Sequence, residues 1–319
     1  MEEAPVIKTE SLSKRYGALF WKKKTLSLDQ LTISVPRGAV FGFLGPNGAG
    51  KTTTIKLLMD LIRPTSGSAL VLGKPVWDPS VRKKIGFLPD APAFNGLMTA
   101  SEFLNVCAKL LKMSREERKR RIPEVLDTVR MTASADDRLG GFSRGMLQRI
   151  GVAQAILNNP DLLILDEPLL GLDPYGRQEL KRIIREQNQR GTTVFFSSHI
   201  LADVQEICDH AAILNKGRLL CSGKLGDLLG SQGLSVRLTD ADDLIHELLP
   251  DARECQKKGQ NEWELTFEKT PEAEKRLQGL KEKYSGKVEI VEQWESLEEF
   301  FFKKIEQDNG EKSGKEAKE

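Results

Sequence analysis

Phe41-Gly42-Phe43-Leu44-Gly45-Pro46-Asn47-Gly48-Ala49-Gly50-Lys51-Thr52-Thr53-Thr54 is the stretch on which the reading of this chain turns. From Gly45 to Thr52 it satisfies G-x-x-x-x-G-K-[ST] without departure. The apolar run 39–44 ahead of it reads as a buried strand, and behind it Ile55, Leu58, Met59 and Ile62 recur at helical spacing. An incidental glycine turn would lack those flanks; strand, glycine loop and helix are the context a phosphate loop requires. Gly45, Gly48 and Gly50 let the backbone fold tightly, so that successive N–H groups and the helix N-terminus face an anion. On this reading Gly45, Pro46, Asn47, Gly48, Ala49, Gly50 and Thr53 surround the phosphates. Lys51 reaches the β- and γ-phosphates, and the Thr52 hydroxyl binds Mg²⁺. The stretch therefore predicts a nucleoside triphosphate site.

Working outward, 319 residues suffice for about two domains with separate cores. Hydrophobic residues at 39% and charged residues at 29% match a soluble globular protein, and the net charge of +2 gives no electrostatic reason to expect nucleic acid. Cys107, Cys208, Cys221 and Cys255 form no C-x-x-C pair, so neither a zinc site nor a disulfide framework is predicted, and a reducing cytoplasm is the simplest setting. The acidic start, 1–5, does not resemble a signal peptide. No apolar run approaches the ~20 residues needed to span a bilayer, so any membrane part is expected on another chain.

Segments 6–9 and 26–35 read as strands, the second alternating apolar and polar as a half-exposed antiparallel strand does. The loop between them carries Phe20 and Trp21 beside Lys22, Lys23 and Lys24; it reads as a solvated hairpin tip, with lipid headgroups or a partner as the alternative. Short strands follow at 68–72 and 85–88. Helices at 100–111, 114–129 and 146–157 read as an insert in an α/β sheet, about 91–157. The buried-strand runs 161–166 and 192–196 alternate with helices 176–189 and 200–208, which argues for a mostly parallel sheet covered on both faces. A hairpin at 211–221 closes this first domain, 6–223. After a helix and linker at 224–233, the order strand 234–238, helix 241–249, strands 253–257 and 262–267, helix 271–284 and strand 288–293 is that of a ferredoxin-like α+β domain, 234–305. A last helix, 296–305, presents Leu297, Phe300, Phe301 and Ile305 on one face, and the polar tail 306–319 is expected to be disordered.

The carboxylates come next. Asp166 closes a buried strand, where α/β sheets present ligand groups, and can hold Mg²⁺; the adjacent Glu167 can polarise an attacking water. Five features now resemble the ATP-binding cassette family over about 6–223. They are the phosphate loop, Phe142-Ser143-Arg144-Gly145-Met146-Leu147-Gln148-Arg149, Leu163-Ile164-Leu165-Asp166-Glu167-Pro168, Gly171-Leu172-Asp173-Pro174 and Ser197-Ser198-His199.

The resemblance implies a P-loop cassette fold and an ATPase that uses ATP and Mg²⁺. It implies that Tyr16 stacks on the adenine and that His199 contacts the γ-phosphate and places the water beside Glu167. It further implies that Asp173 lies at a subunit contact, and that Ser143 and Gly145 meet the γ-phosphate bound by a second copy. A homodimer or paired cassette is then required, because the chain carries one nucleotide domain. His210, at a helix end, and His246, in a C-terminal helix, read as structural. Two positions depart from the family pattern. Asp90 stands where Gln is usual; it could ligate Mg²⁺ with a shorter, charged arm. Arg144 and Met146 replace the usual signature pair, a change that resembles the branch of cassettes serving bacterial exporters with separate permeases. The expected function is the ATPase subunit of such a transporter, at the cytoplasmic face of the membrane. The alternative is a soluble cassette ATPase acting on ribosomes or DNA, although no basic stretch beyond 21–24 points to nucleic acid.

Overall fold

The computed structural model describes residues 4–17, 25–229, 231–239, 248–259, 261–268, 270–284, 287–294 and 296–316. The hairpin tip with Phe20 and Trp21 lies outside these residues, as do His246 and most of the helix expected over 241–249. The chain divides into two compact units, one comprising 1–225 with 308–319, the other 226–307.

In the first unit, β1 (Ile7–Tyr16), β2 (Thr25–Leu31), β3 (Ser34–Val35), β5 (Ser66–Val71) and β6 (Lys74–Pro75) form an antiparallel sheet in which β1 pairs with β2, β3 and β5. β1 runs well past the expected end at residue 9. It does so by curling: Ser11 has φ 46°, the register slips around it, and β1 leaves β5 to pair with β2 as far as Tyr16 opposite Thr25.

The second sheet positions the site. Its order is β11 (Arg218–Lys224), β10 (His210–Asn215), β4 (Val40–Leu44), β9 (Thr193–Ser198), β8 (Leu162–Leu165), β7 (Ile85–Leu88), with all neighbours parallel except β11. Every residue of β4, β8 and β9 is buried, which is why β4 and β8 read as apolar runs rather than alternations and β9 carries Val194, Phe195 and Phe196 in succession. Phe195 sits between Phe41 and Phe43, with ring centroids 5.6 and 5.2 Å away. Phe195→Ala is expected to destabilise this unit by about 3–5 kcal/mol, read as a lower urea midpoint, since the cavity lies under three strands. His210 opens β10 rather than ending a helix.

The helices α1 (Lys51–Leu58), α2 (Pro79–Arg82), α3 (Ala100–Leu110), α4 (Arg115–Thr128), α5 (Arg144–Ala155), α6 (Pro174–Gln189), α7 (Leu201–Ile207) and α8 (Leu225–Leu229) complete the unit and its boundary. Thr99 with Glu102, and Ser114 with Glu117, form reciprocal capping boxes that start α3 and α4. The insert is fastened internally by Arg121. Its guanidinium, buried on α4, donates to the Leu157 and Ile156 carbonyls at the end of α5, at 3.0 and 2.7 Å, and to Glu124. α5 also lies close on β7. A Cβ at Gly86 would stand 2.0 Å from the Ala155 carbonyl oxygen, so only glycine permits that approach.

The second unit has one antiparallel sheet, β12 (Ser231–Thr239), β13 (Glu254–Lys257), β14 (Glu262–Phe267) and β15 (Val288–Trp294), in the order β13, β14, β12, β15. This is the split strand order of a ferredoxin-like fold. Val236, Leu238, Leu265 and Phe267 form its core with Leu277 and Leu280 of α9 (Pro271–Lys283). Two expected boundaries are corrected. The segment 224–233 is taken up by the end of β11, by α8 and by the opening of β12, whose Ser231 and Gly233 pair with Trp294 and Gln293. The tail is not irregular from 306: α10 runs Leu297–Glu316, started by Ser296 and Glu299, which accept each other's backbone N–H. Glu, Lys and Gln beyond residue 305 propagate a helix once it is nucleated.

Candidate functional site

The glycine loop joins β4 to α1 as the spacing requires. Gly48 and Gly50 have φ 79° and 107°, and a Cβ at Gly50 would stand 2.6 Å from the Ser27 carbonyl oxygen, so that position is closed to other residues. The Ser27 and Thr53 hydroxyls lie 2.9 Å apart and tie β2 to the first turn of α1. Lys51 is 6% exposed. Its Nζ donates to the Gly45 carbonyl at 2.7 Å and the Pro46 carbonyl at 3.4 Å, and lies 3.1 Å from Glu167 Oε1. The other carboxylate oxygen of Glu167, Oε2, is 2.9 Å from His199 Nδ1. Lys51, Glu167 and His199, delivered by β4, β8 and β9, thus form one connected chain of charge and hydrogen bonds.

Asp166 lies beneath. It is 2% exposed and accepts from the Ser197 hydroxyl at 2.6 Å. Burial pushes its carboxyl above the ordinary value; hydrogen bonds from Ser197 and Thr52 oppose the rise, and the neighbouring Asp90 and Glu167 carboxylates add to it. Asp166 and the Thr52 hydroxyl that donates to it offer oxygen ligands to a hard cation. Among the described residues no set of three or more His, Cys, Asp or Glu side chains converges on a metal position. One buried carboxylate beside a hydroxyl is the donor set that suits Mg²⁺, which takes one or two carboxylates together with substrate phosphates.

A cleft of about 440 Å³ opens over this cluster, lined by Ser27, Asn47 to Thr53, Asp90, Glu167, Leu170 and His199. Asp90, the departure from the family pattern, is therefore at the site. Gly45 and Pro46 reach it through their carbonyls on Lys51. Tyr16 does not line the cleft; it is 42% exposed at the end of β1, with Lys14 Nζ 5.3 Å from its ring centre. Ser143 and Gly145 do not line it either. Ser143 caps α5 by accepting from Met146 N–H at 3.3 Å, and Gly145 follows it in the first turn. Asp173 serves as the cap of α6, accepting from Gly176 N–H at 2.9 Å.

Two residues that hold the site carry no role in the sequence reading. Ser197 is named there only as part of a motif, and Gln148 only as part of the signature. In the structure Ser197 bridges Asp166 and the Glu167 N–H, and Gln148 donates to the Pro168 carbonyl at 2.8 Å. An apolar strand interrupted by serine just before a histidine is the one signal that could have marked the first.

Known proteins match the same parts. A family model described as ABC transporter covers residues 28–170. An ABC transporter ATP-binding protein of Synechocystis sp. is 44% identical over 245 residues, 76% of this chain and 69% of that protein. The bacitracin transport ATP-binding protein BcrA of Bacillus licheniformis is 42% identical over 218 residues, 67% of this chain and 68% of its own. Among solved structures, the ATP-binding subunit of an ABC transporter has a TM-score of 0.62 at 32% identity, over 70% of this chain and 91% of that one. A dimeric post-hydrolysis state of an ATP-binding cassette bound to ADP and Pi has a TM-score of 0.62 at 25% identity, over 69% and 99%. On this identity, over more than two thirds of each relative, the chain belongs to the ABC transporter family, as an ATP-binding and ATP-hydrolysing subunit.

Proposed function

We propose that this chain powers export through a separate membrane-spanning permease, and that two cassettes close head to tail around two ATP molecules to do so. The observation that carries the reading is a division of labour. Lys51, Thr52, Glu167 and His199 meet at one cleft, whereas Ser143 and Gly145 stand outside its lining at the N-terminus of α5. A helix N-terminus with exposed N–H groups is an anion site in search of an anion, and a second copy's γ-phosphate supplies one.

In the closed pair Lys51 exchanges its carbonyl partners for phosphate oxygens, and the glycine-loop N–H groups and α1 N-terminus hold the same anion. That exchange frees Glu167 Oε1 to accept a proton from the attacking water, while His199 steadies Oε2 and reaches the γ-phosphate. Thr52, Asp166 and Asp90 would hold Mg²⁺, which neutralises charge on the phosphate oxygens. Tyr16 would stack on the adenine, and Asp173 would lie at the contact between copies. ATP drives closure only to the extent that its contacts in the closed pair exceed those in the open one. Export is supported by the signature pair Arg144 and Met146, which resembles the exporter branch. A membrane-associated position is supported by exposed apolar side chains on the insert: Leu97 and Leu110 are 77% and 79% exposed. Among the described residues no helix is long and apolar enough to cross a membrane.

Crosslinking tests the pairing. In a chain with its four native cysteines replaced, cysteines at Asn47 of one copy and Gly141 of another are expected to join through a short bifunctional reagent only with MgATP. No inter-copy product at saturating MgATP counts against the head-to-tail arrangement. Affinity purification from membranes is expected to bring down a multi-span permease.

A further inference from the structure

Glu167 has φ 49°, a left-handed conformation that residues other than glycine rarely adopt and that persists only where the surroundings fix it. Two buried side chains from other elements fix this one. Before Glu167, the Ser197 hydroxyl on β9 accepts the Glu167 N–H at 2.9 Å and donates to Asp166 Oδ1 at 2.6 Å. After it, Gln148 on α5 donates from Nε2 to the Pro168 carbonyl at 2.8 Å. Ser197 is fully buried and Gln148 is 7% exposed. The strained turn is therefore gripped from both sides, and its side chain is aimed at Lys51 and His199.

Gln148 lies three residues beyond Gly145, within one turn of the end of α5 proposed to meet the other copy's nucleotide. From this geometry we infer that Ser197 and Gln148 are positioning residues for Glu167, and that Gln148 links the base of one nucleotide site to the helix that closes the other. The second half of this inference rests on the head-to-tail pairing proposed above. A shift of α5 on docking pulls on the Pro168 carbonyl, and the backbone torsions that aim Glu167 follow.

The test separates positioning from packing. Gln148→Ala and the near-isosteric Gln148→Glu, which as a carboxylate cannot donate to a carbonyl, are measured beside Ser197→Ala and Ser197→Thr. In the two Gln148 variants and Ser197→Ala, kcat is expected to fall about ten- to a hundredfold, as a misplaced reacting group does. Affinity for a fluorescent ATP analogue should stay within about twofold. Ser197→Thr, which keeps the hydroxyl, is expected to recover most of the rate. Combined with Glu167→Gln, neither Gln148 variant should lower the residual single-turnover rate further, because a residue acting only through Glu167 has nothing left to position. The Hill coefficient of turnover against ATP should also drop in the Gln148 variants.

Wild-type kcat in Gln148→Glu, or a loss that adds in full to that of Glu167→Gln, overturns the positioning role. An unchanged Hill coefficient beside a lowered kcat overturns the link between sites. If the wild-type chain shows no ATP-dependent pairing, it is the head-to-tail reading that fails, and the kcat comparison still decides the positioning role.

Discussion

In a Lys51→Ala variant, ATP turnover falls to background and nucleotide affinity drops at least about a hundredfold, ~2.8 kcal/mol at ~1.4 kcal/mol per factor of ten. The structure explains why the loss is large. Lys51 is a buried ammonium whose partners are two carbonyls of its own loop and the Glu167 carboxylate. These are acceptors that a phosphate oxygen can replace without moving the backbone. Among the described residues no other Lys or Arg lines the cleft. Removing Lys51 therefore takes away the one lysine that grips the phosphates from within the loop, and leaves Glu167 Oε1 as an anion facing an anion. Fluorescence titration with a labelled ATP analogue, beside phosphate-release kinetics, measures both effects. Affinity within threefold of wild type would mean that the phosphate loop does not grip as proposed.

Glu167→Gln has the second large effect, and its sign differs between binding and turnover. The amide keeps the shape, and it keeps an oxygen for His199 or Lys51, but it cannot take a proton. Hydrolysis should fall by about 10²–10⁴, the range general-base catalysis supplies. ATP binding should persist. The closed pair should then accumulate instead of dissociating. Sedimentation with MgATP is expected to give a species of twice the 35.6 kDa chain mass, reverting to the single chain when ATP is removed. A single-chain mass at saturating nucleotide would show that ATP does not hold two copies together even when hydrolysis is blocked.

The site was legible where its chemistry lies within one stretch. Glycine spacing located the loop from Gly45 to Thr52, and buried β8 ended in Asp166 and Glu167 as its apolar run predicted. The strand alternation 234–293 gave the split sheet order of the second unit, because that order follows from element sequence and short connections. Contacts made across layers were not legible. Gln148 and Pro168 are 20 residues apart and Asp166 and Ser197 are 31 apart, and they meet only because α5 and β9 both pack against β8 and its exit turn. Nothing in the local pattern of either residue reports that meeting. The curled end of β1 was missed for a different reason. Ser11 at φ 46° breaks the alternation from which a strand is read, although the ladder continues past it. The helical tail was missed because low apolar content reads as disorder even where a capped helix start precedes it.

Arg121 has one further mechanical meaning. A guanidinium that clasps the Ile156 and Leu157 carbonyls, just past the end of α5, from the body of α4 opposes the usual freedom of neighbouring helices to slide by a ridge. The two rods of the insert are thus pinned together at the end farther from Ser143, and a push on α4 is expected to reach Ser143 as rotation rather than as slack between them.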